Sequence, residues 1–168
     1  VAVGTAVLLL PGMSPQGLTP KQALFTATSA LSVTGLSIIV PARDLTLLGQ
    51  VALLCLIQIG GVGFMVLAVI ILRLLGRKVS LTDRLALTDS LGLLNPRAIV
   101  QVVGRTLVVV GAIEGIGALL LWLNWRSMLG DGRAFFYGLF HAVSSFCNAG
   151  FDLFSGTAGF EAGLPRDA

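Results

Sequence analysis

Between Asp44 and Arg73 the chain runs for 28 residues, Leu45 to Leu72, without one charged side chain. At about 1.5 Å of rise per residue this makes roughly 40 Å of helix, against a hydrocarbon core of about 30 Å. The surplus leaves room for tilt and for an interfacial turn. A second apolar stretch, Thr106 to Trp125, carries a single charge, Glu114. Both read as membrane-spanning helices, because a secretory signal has a shorter apolar region and a cleavage site. Val1 to Leu10 is apolar but too short to span. Pro11-Gly12-Met13-Ser14-Pro15 closes it, as the end of a longer helix would be closed.

Two shorter apolar segments break this rhythm. Thr19 offers an N-cap with Pro20 at the first helical position. The helix it opens, Pro20 to about Ser32, covers only about 20 Å, too short to cross a bilayer and too apolar for water. It is expected to be re-entrant. Val33-Thr34-Gly35-Leu36-Ser37 comes next, and Pro41, Arg43 and Asp44 return the chain to a membrane surface. Asn95 and Pro96 start the second long helix, which is expected to end around Asn124 to Arg126. Gly130-Asp131-Gly132 then makes a turn. A second short apolar helix runs from Ala134 to about Cys147 and ends in Asn148-Ala149-Gly150-Phe151-Asp152.

With Val1 to Leu10 taken as the end of a span, the order is span, short helix, glycine turn, span, basic link, span, short helix, glycine turn, which suggests a repeat. Laying Gly35 on Gly150 aligns ALFTATSALSVTGLS (23–37) with GLFHAVSSFCNAGFD (138–152) without gaps. Five of the fifteen positions are then identical: Leu24/Leu139, Phe25/Phe140, Ala27/Ala142, Ser29/Ser144 and Gly35/Gly150. Internal repeats are a common way to build membrane transport folds.

Composition sharpens the membrane reading. Of 168 residues, 55% are hydrophobic and 11% charged, against about a quarter charged in soluble domains. A soluble fold of this size has too much surface to cover with so few polar residues. The net charge of +3 does not indicate nucleic acid. Six of the eleven basic residues (Arg73, Arg77, Lys78, Arg84, Arg97, Arg105) fall between the two long helices. Such a link is the positive-inside signature, so 73–105 is expected to be cytoplasmic. Cys55 and Cys147 sit alone in apolar segments and read as packing residues. His141 has no ligand-type neighbours at metal spacing, so no transition-metal site is expected. No nucleophile–base pair suggests an enzyme.

The glycine turns carry the candidate chemistry. A helix that stops inside the membrane presents about half a negative elementary charge at its C-terminus. The irregular backbone beyond it is tolerated only where protein or water shields it. Carbonyl oxygens aimed at a common axis can replace the hydration shell of an alkali cation. Glycine suits this role, since it accepts positive φ and leaves the lumen clear. Thr34 and Ser37 could add hydroxyl oxygens, and Asn148 an amide oxygen. Asp152 could concentrate cations at an outer mouth. Glu114, an acid inside a span, is costly unless it has a role; it is expected to bond polar groups near a re-entrant segment. Gly60, Gly61 and Gly63, and Gly111 with Gly115, read as helix-packing positions.

The runs ALFTATSALSVTGL (23–36), LLCLIQIGGVGFM (53–65) and FHAVSSFCNAGFD (140–152) resemble the Ktr/Trk/HKT superfamily of potassium transporters, as does GRKVSLTDRLAL in the basic link. The likeness is closest to the membrane subunit of bacterial Ktr systems. It implies an all-α membrane protein of tandem helix–pore helix–helix repeats of the potassium-channel-like type, four around one pore. This chain would hold the first two, truncated at both ends. The first unit would be 1–75, with pore helix 20–32, filter 33–37 and second helix 45–75. A cytoplasmic link would occupy 76–96. The second unit would be 97–168, with first helix 97–126, pore helix 134–147 and filter 148–152. By motif, Val33, Thr34, Gly35, Asn148, Ala149, Gly150 and Phe151 would be ion-binding filter residues, with Glu114 supporting them. The resemblance further implies uptake of K+ through the plasma membrane, sodium-dependent in the Ktr branch, with no bound cofactor. It implies a homodimer on a cytosolic nucleotide-binding ring of the RCK type, contacted through Arg77, Lys78 and Arg84. Two other readings are a non-conducting membrane scaffold and a channel for another small solute. The asparagine–proline turns that a water channel places on its re-entrant helices are missing here.

Overall fold

A computed structural model describes residues 1–75 and 96–155. Among these residues the chain is helical, with no strand: α1 (Ala2–Leu8), α2 (Pro20–Leu31), α3 (Pro41–Asp44), α4 (Leu47–Leu75), α5 (Pro96–Leu129) and α6 (Asp131–Phe146). Two helices contain windows long and apolar enough to cross a membrane, Leu47–Phe64 in α4 and Gly104–Leu129 in α5. Only 17% of the α5 window is buried, and Val108, Val109, Ile116, Leu119, Leu120 and Leu123 lie exposed. An apolar face of that extent on a helix of that length fits lipid or further protein.

The chain packs as two units, residues 1–61 with the chain from 113 onward, and residues 62–112. The first holds the short helices and both glycine turns. Its core joins Leu8, Ala23, Ala27, Ala30, Leu53, Leu56 and Ile57 with Phe140, Val143, Cys147, Ala149, Phe151 and Leu153. Small residues let α1 and α2 close on α4: a β-carbon on Gly4 would meet Leu56 Cδ2 at 2.8 Å and the Ala27 β-carbon at 3.5 Å. The second unit comprises the far part of α4 and the beginning of α5. The basic link lies outside the described residues, and with it Arg77, Lys78 and Arg84.

Helix ends follow local chemistry. Thr19 and Gln22 form a reciprocal capping box: the Thr19 hydroxyl accepts from Gln22 N (3.3 Å) and Thr19 N donates to Gln22 Oε1 (2.9 Å), with Pro20 beginning α2. Three expectations need correcting. The turn placed at 130–132 is a single residue: Gly130, at φ 77°, reverses the chain at once, and Asp131 already begins α6. Its carboxylate suits a helix N-terminus, which is why the sequence Gly-Asp-Gly continues as helix instead of loop. Cys55 is exposed, so it is not a packing residue within the described chain. Gly63, Gly111 and Gly115 face open space, so the helix packing expected of them is not made among the described residues.

Candidate functional site

The two short helices end in the same way. Ser32 caps α2 and Cys147 caps α6, both in right-handed helical conformation. The next residues, Val33 (φ 55°) and Asn148 (φ 56°), are left-handed, and two residues later Gly35 and Gly150 are both at φ 70°. Val33 N donates to Ala30 O (3.3 Å) and Thr34 N to Ser29 O (3.1 Å). At the second helix Asn148 N donates to Ser145 O (3.0 Å) and Ala149 N to Ser144 O (2.7 Å). These are paired Schellman motifs, which satisfy the last helical carbonyls and turn the chain sharply off the helix axis. Every one of these bonds keeps the 115-residue offset of the sequence alignment.

Beyond the Schellman bonds, the carbonyl oxygens of Val33, Thr34, Gly35 and Leu36 accept no hydrogen bond among the described residues, and neither do those of Asn148, Ala149 and Gly150. Thr34, Leu36, Asn148 and Gly150 are exposed and Val33 and Gly35 half-buried, so these unpaired carbonyls are open to water or to an ion. The two turns meet at their glycines. A β-carbon on Gly35 would stand 2.5 Å from the Ala149 carbonyl oxygen and 3.2 Å from the Gly150 α-carbon; one on Gly150 would stand 3.4 Å from the Gly35 α-carbon. Backbone lies on both sides, so no rotamer change can make room.

The remaining residues expected at the site differ in their fit. The Thr34 hydroxyl bonds the hydroxyls of Ser29 (3.1 Å) and Ser32 (3.3 Å). The Ser37 hydroxyl, expected as a further ion ligand, instead donates to Ile39 O (2.6 Å), the local side-chain-to-backbone bond that serine favours outside helices. The Phe151 carbonyl accepts from Ser144 Oγ (2.6 Å), which leaves it one lone pair. Asp152 accepts through Oδ1 from Phe154 N (2.8 Å) and Ser155 N (2.6 Å), and through Oδ2 from the Ser155 hydroxyl (2.8 Å). Its carboxylate therefore closes a turn. Glu114 is buried and accepts from Gln58 Nε2 (3.0 Å). Cys147 is buried against Gly61, with its thiol 3.8 Å from Gln58 Oε1 and 4.0 Å from Glu114 Oε1.

Other residues support the turns: Gly60 and Gly61 pack as expected, while Gln58 was not singled out by sequence. Gly60 and Gly61, adjacent on α4, sit under both short helices: a side chain on Gly60 would strike the Leu31 backbone, and one on Gly61 would strike Cys147. His141 bonds at both ring nitrogens. Nδ1 donates to Tyr137 O (2.7 Å) and Nε2 accepts from Leu153 N (3.3 Å), so the imidazole holds the backbone that leaves the second turn. The rings of Trp125 and Phe154 pack on it, 5.4 and 5.0 Å between centroids. Gln58 was the findable one, as a polar side chain in a charge-free span.

Helices of membrane length, with short helices ending in facing glycine turns, are parts suited to a cation transport protein. The chain belongs to that class: it is a member of the TrkH family, described as cation transport proteins, whose pattern matches residues 3–159. It is 40% identical over 156 residues to Ktr system potassium uptake protein B of Vibrio alginolyticus, and 37% over 153 residues to the protein of that name from Bacillus subtilis. It is 36% identical over 155 residues to potassium/sodium uptake protein NtpJ of Enterococcus hirae. These matches cover 91–92% of the chain but 34% of each relative. The chain thus spans about a third of the length of the curated relatives it matches.

Proposed function

We propose that this chain supplies two of the filter segments of a potassium uptake pore, residues 33–37 and 148–152. The observation that carries the reading is the meeting of Gly35 and Gly150, at equal φ, amid carbonyl oxygens that no donor satisfies among the described residues. Dehydrating an alkali cation needs such oxygens in number, and helix C-termini behind them add negative potential. The potassium uptake proteins among the relatives support K+ as the ion, and the potassium/sodium protein supports a part for Na+.

In this reading the chain comprises two helix–pore helix–helix units, 1–75 and 97–168, with α2 and α6 as pore helices. The link at 76–96 is cytoplasmic, and Arg77, Lys78 and Arg84 face a nucleotide-binding regulatory ring beneath a homodimer in the plasma membrane. Uptake is sodium-dependent. Asp152 stands at the outer mouth, its charge shared with the turn it closes.

The test is uptake of K+ by the intact transporter in cells lacking their own potassium uptake. Gly35→Ser and Gly150→Ser should each lower K+ uptake or lose K+/Na+ discrimination, with the protein still present in the membrane. Wild-type K+ uptake and selectivity in both variants would remove the filter assignment.

A further inference from the structure

Glu114 is the one acid in the apolar stretch of α5, and its carboxylate is buried among partners that carry no charge. Gln58 Nε2 donates to Oε2 at 3.0 Å. The Cys147 thiol lies 3.8 Å from Gln58 Oε1 and 4.0 Å from Glu114 Oε1. The thiol proton and the amide can therefore form a chain from Cys147 through Gln58 to the carboxylate. Cys147 is the C-cap of α6, and Asn148 begins the second turn immediately after it. The nearest basic residues on α5, Arg105 and Arg126, are nine and twelve residues away, about 14 and 18 Å along the helix. The ion pair found among the described residues is Arg43–Asp44.

Three sources of negative potential thus converge behind the second turn. One is the carboxylate. The second is the C-terminal end of α6, where a negative side chain is unfavourable. The third is the run of carbonyls on Asn148, Ala149 and Gly150, unpaired among the described residues. An amide and a thiol satisfy hydrogen bonds but cannot balance charge. A cation held by the turn can.

We infer that Glu114 is a specificity-determining positioning residue, which sets cation affinity at the second glycine turn from behind it, through Gln58 and Cys147. The inference rests on the filter reading above and adds a residue that does not touch the ion. Glu114 holds Cys147, the residue just before the turn, directly and through Gln58, and its charge deepens the potential where the ion sits.

Two substitutions in the intact transporter separate charge from shape. Glu114→Gln keeps size and can still bond a reoriented Gln58 amide, but loses the charge. The apparent KM for K+ should rise severalfold, by up to about tenfold, as expected for losing a unit charge that acts through protein at an effective dielectric of about 20. The maximal rate should stay within about twofold of wild type. Glu114→Asp keeps the charge one methylene back and should hold KM within about threefold, a rescue that hydrogen bonding alone would not predict. Wild-type KM in Glu114→Gln contradicts the inference. So does a fall in maximal rate at unchanged KM in both variants, which marks a purely structural residue. If Glu114→Gln does not reach the membrane, Glu114→Asp decides alone: near-normal KM and rate support the inference, and a lost rate at unchanged KM overturns it. Gly35→Ser and Gly150→Ser, run beside them, report on the filter itself. Impaired glycine variants with a silent Glu114→Gln reject only the role of Glu114, whereas silent glycine variants reject the filter.

Discussion

Thr34 and Ala149 hold the same place after their helices, and each donates its amide to the carbonyl five residues back. The residues beyond them are held differently. Ala149, Phe151 and Leu153 are buried in the core shared with α2 and α4, whereas Leu36 and Ile38, at the positions matching Phe151 and Leu153, are 62% and 53% exposed. The second turn is also tied down by side chains: Ser144 holds Phe151 O and His141 holds Leu153 N. Thr26, at the position matching His141, is buried with its hydroxyl unbonded among the described residues. One backbone conformation is thus held by two kinds of surroundings. The Schellman caps are enough to shape a turn, and tertiary contacts decide how firmly it is held. In the proposed pore, a further unit would cover Leu36 and Ile38 much as this chain covers Phe151 and Leu153.

The largest effects should come where the turns meet. At φ 70° any side chain is strained by about 1–2 kcal/mol, roughly a factor of ten in population. Gly35→Ala adds a clash with the Ala149 carbonyl, while Gly150→Ala meets the Gly35 α-carbon at an ordinary 3.4 Å. Gly35→Ala should therefore impair K+ uptake more than Gly150→Ala at equal membrane abundance. Equal impairment would mean that the turns do not approach as described.

Next comes the bracing of the two helices. His141→Phe leaves the buried Leu153 amide without its acceptor and should cost about 1–3 kcal/mol, read as a lower melting temperature in detergent. Thr26→Val removes a hydroxyl that makes no bond among the described residues and should be neutral or mildly stabilising. A large loss with Thr26→Val would reveal a partner for that hydroxyl.

A smaller contrast lies at the first left-handed residue. Asparagine tolerates that region and a β-branched residue does not. Val33→Asn should stabilise by up to about 1 kcal/mol, and Asn148→Val should destabilise by a similar amount. The melting temperatures should move in opposite directions.

The smallest effect concerns the aspartate beyond the first turn. Asp44 accepts from Val40 N (2.8 Å) and pairs with Arg43 (2.8 Å). The Arg43 hydrogen bond, opposed by partial desolvation, holds its carboxyl below the usual aspartate range. The stabilisation is thus present above the unfolded aspartate value near 4 and is lost as pH falls below it, through the folded value. Because the pair is exposed, Asp44→Asn should lower the melting temperature only slightly at pH 7, and the difference should vanish in acid.

Much of this architecture was legible in the chain. A long run without charge marks α4, Asn95-Pro96 marks the start of α5, Thr19-Pro20 marks α2, and the spacing of Gly35 and Gly150 identifies the matching turns. These are local signals or self-similarity, and one sequence carries both. The contacts that hold the turns were not legible. Gln58 and Glu114 are 56 residues apart, and Cys147 lies 89 from Gln58, so their contact depends on how α4, α5 and α6 pack. The repeat aligned His141 with Thr26 but could not show that one would hold a strand of backbone and the other would not. Gly130 misled because a single left-handed residue did the work of a three-residue turn.

The central claim is that a cation binds where the two turns meet. The most direct measurement is a crystal structure of the intact transporter grown in thallium, which replaces potassium and scatters anomalously. The account predicts an anomalous peak in contact with carbonyl oxygens of both turns, beside Gly35 and Gly150. Thallium bound elsewhere in a well-ordered pore, with nothing between those glycines, would contradict it.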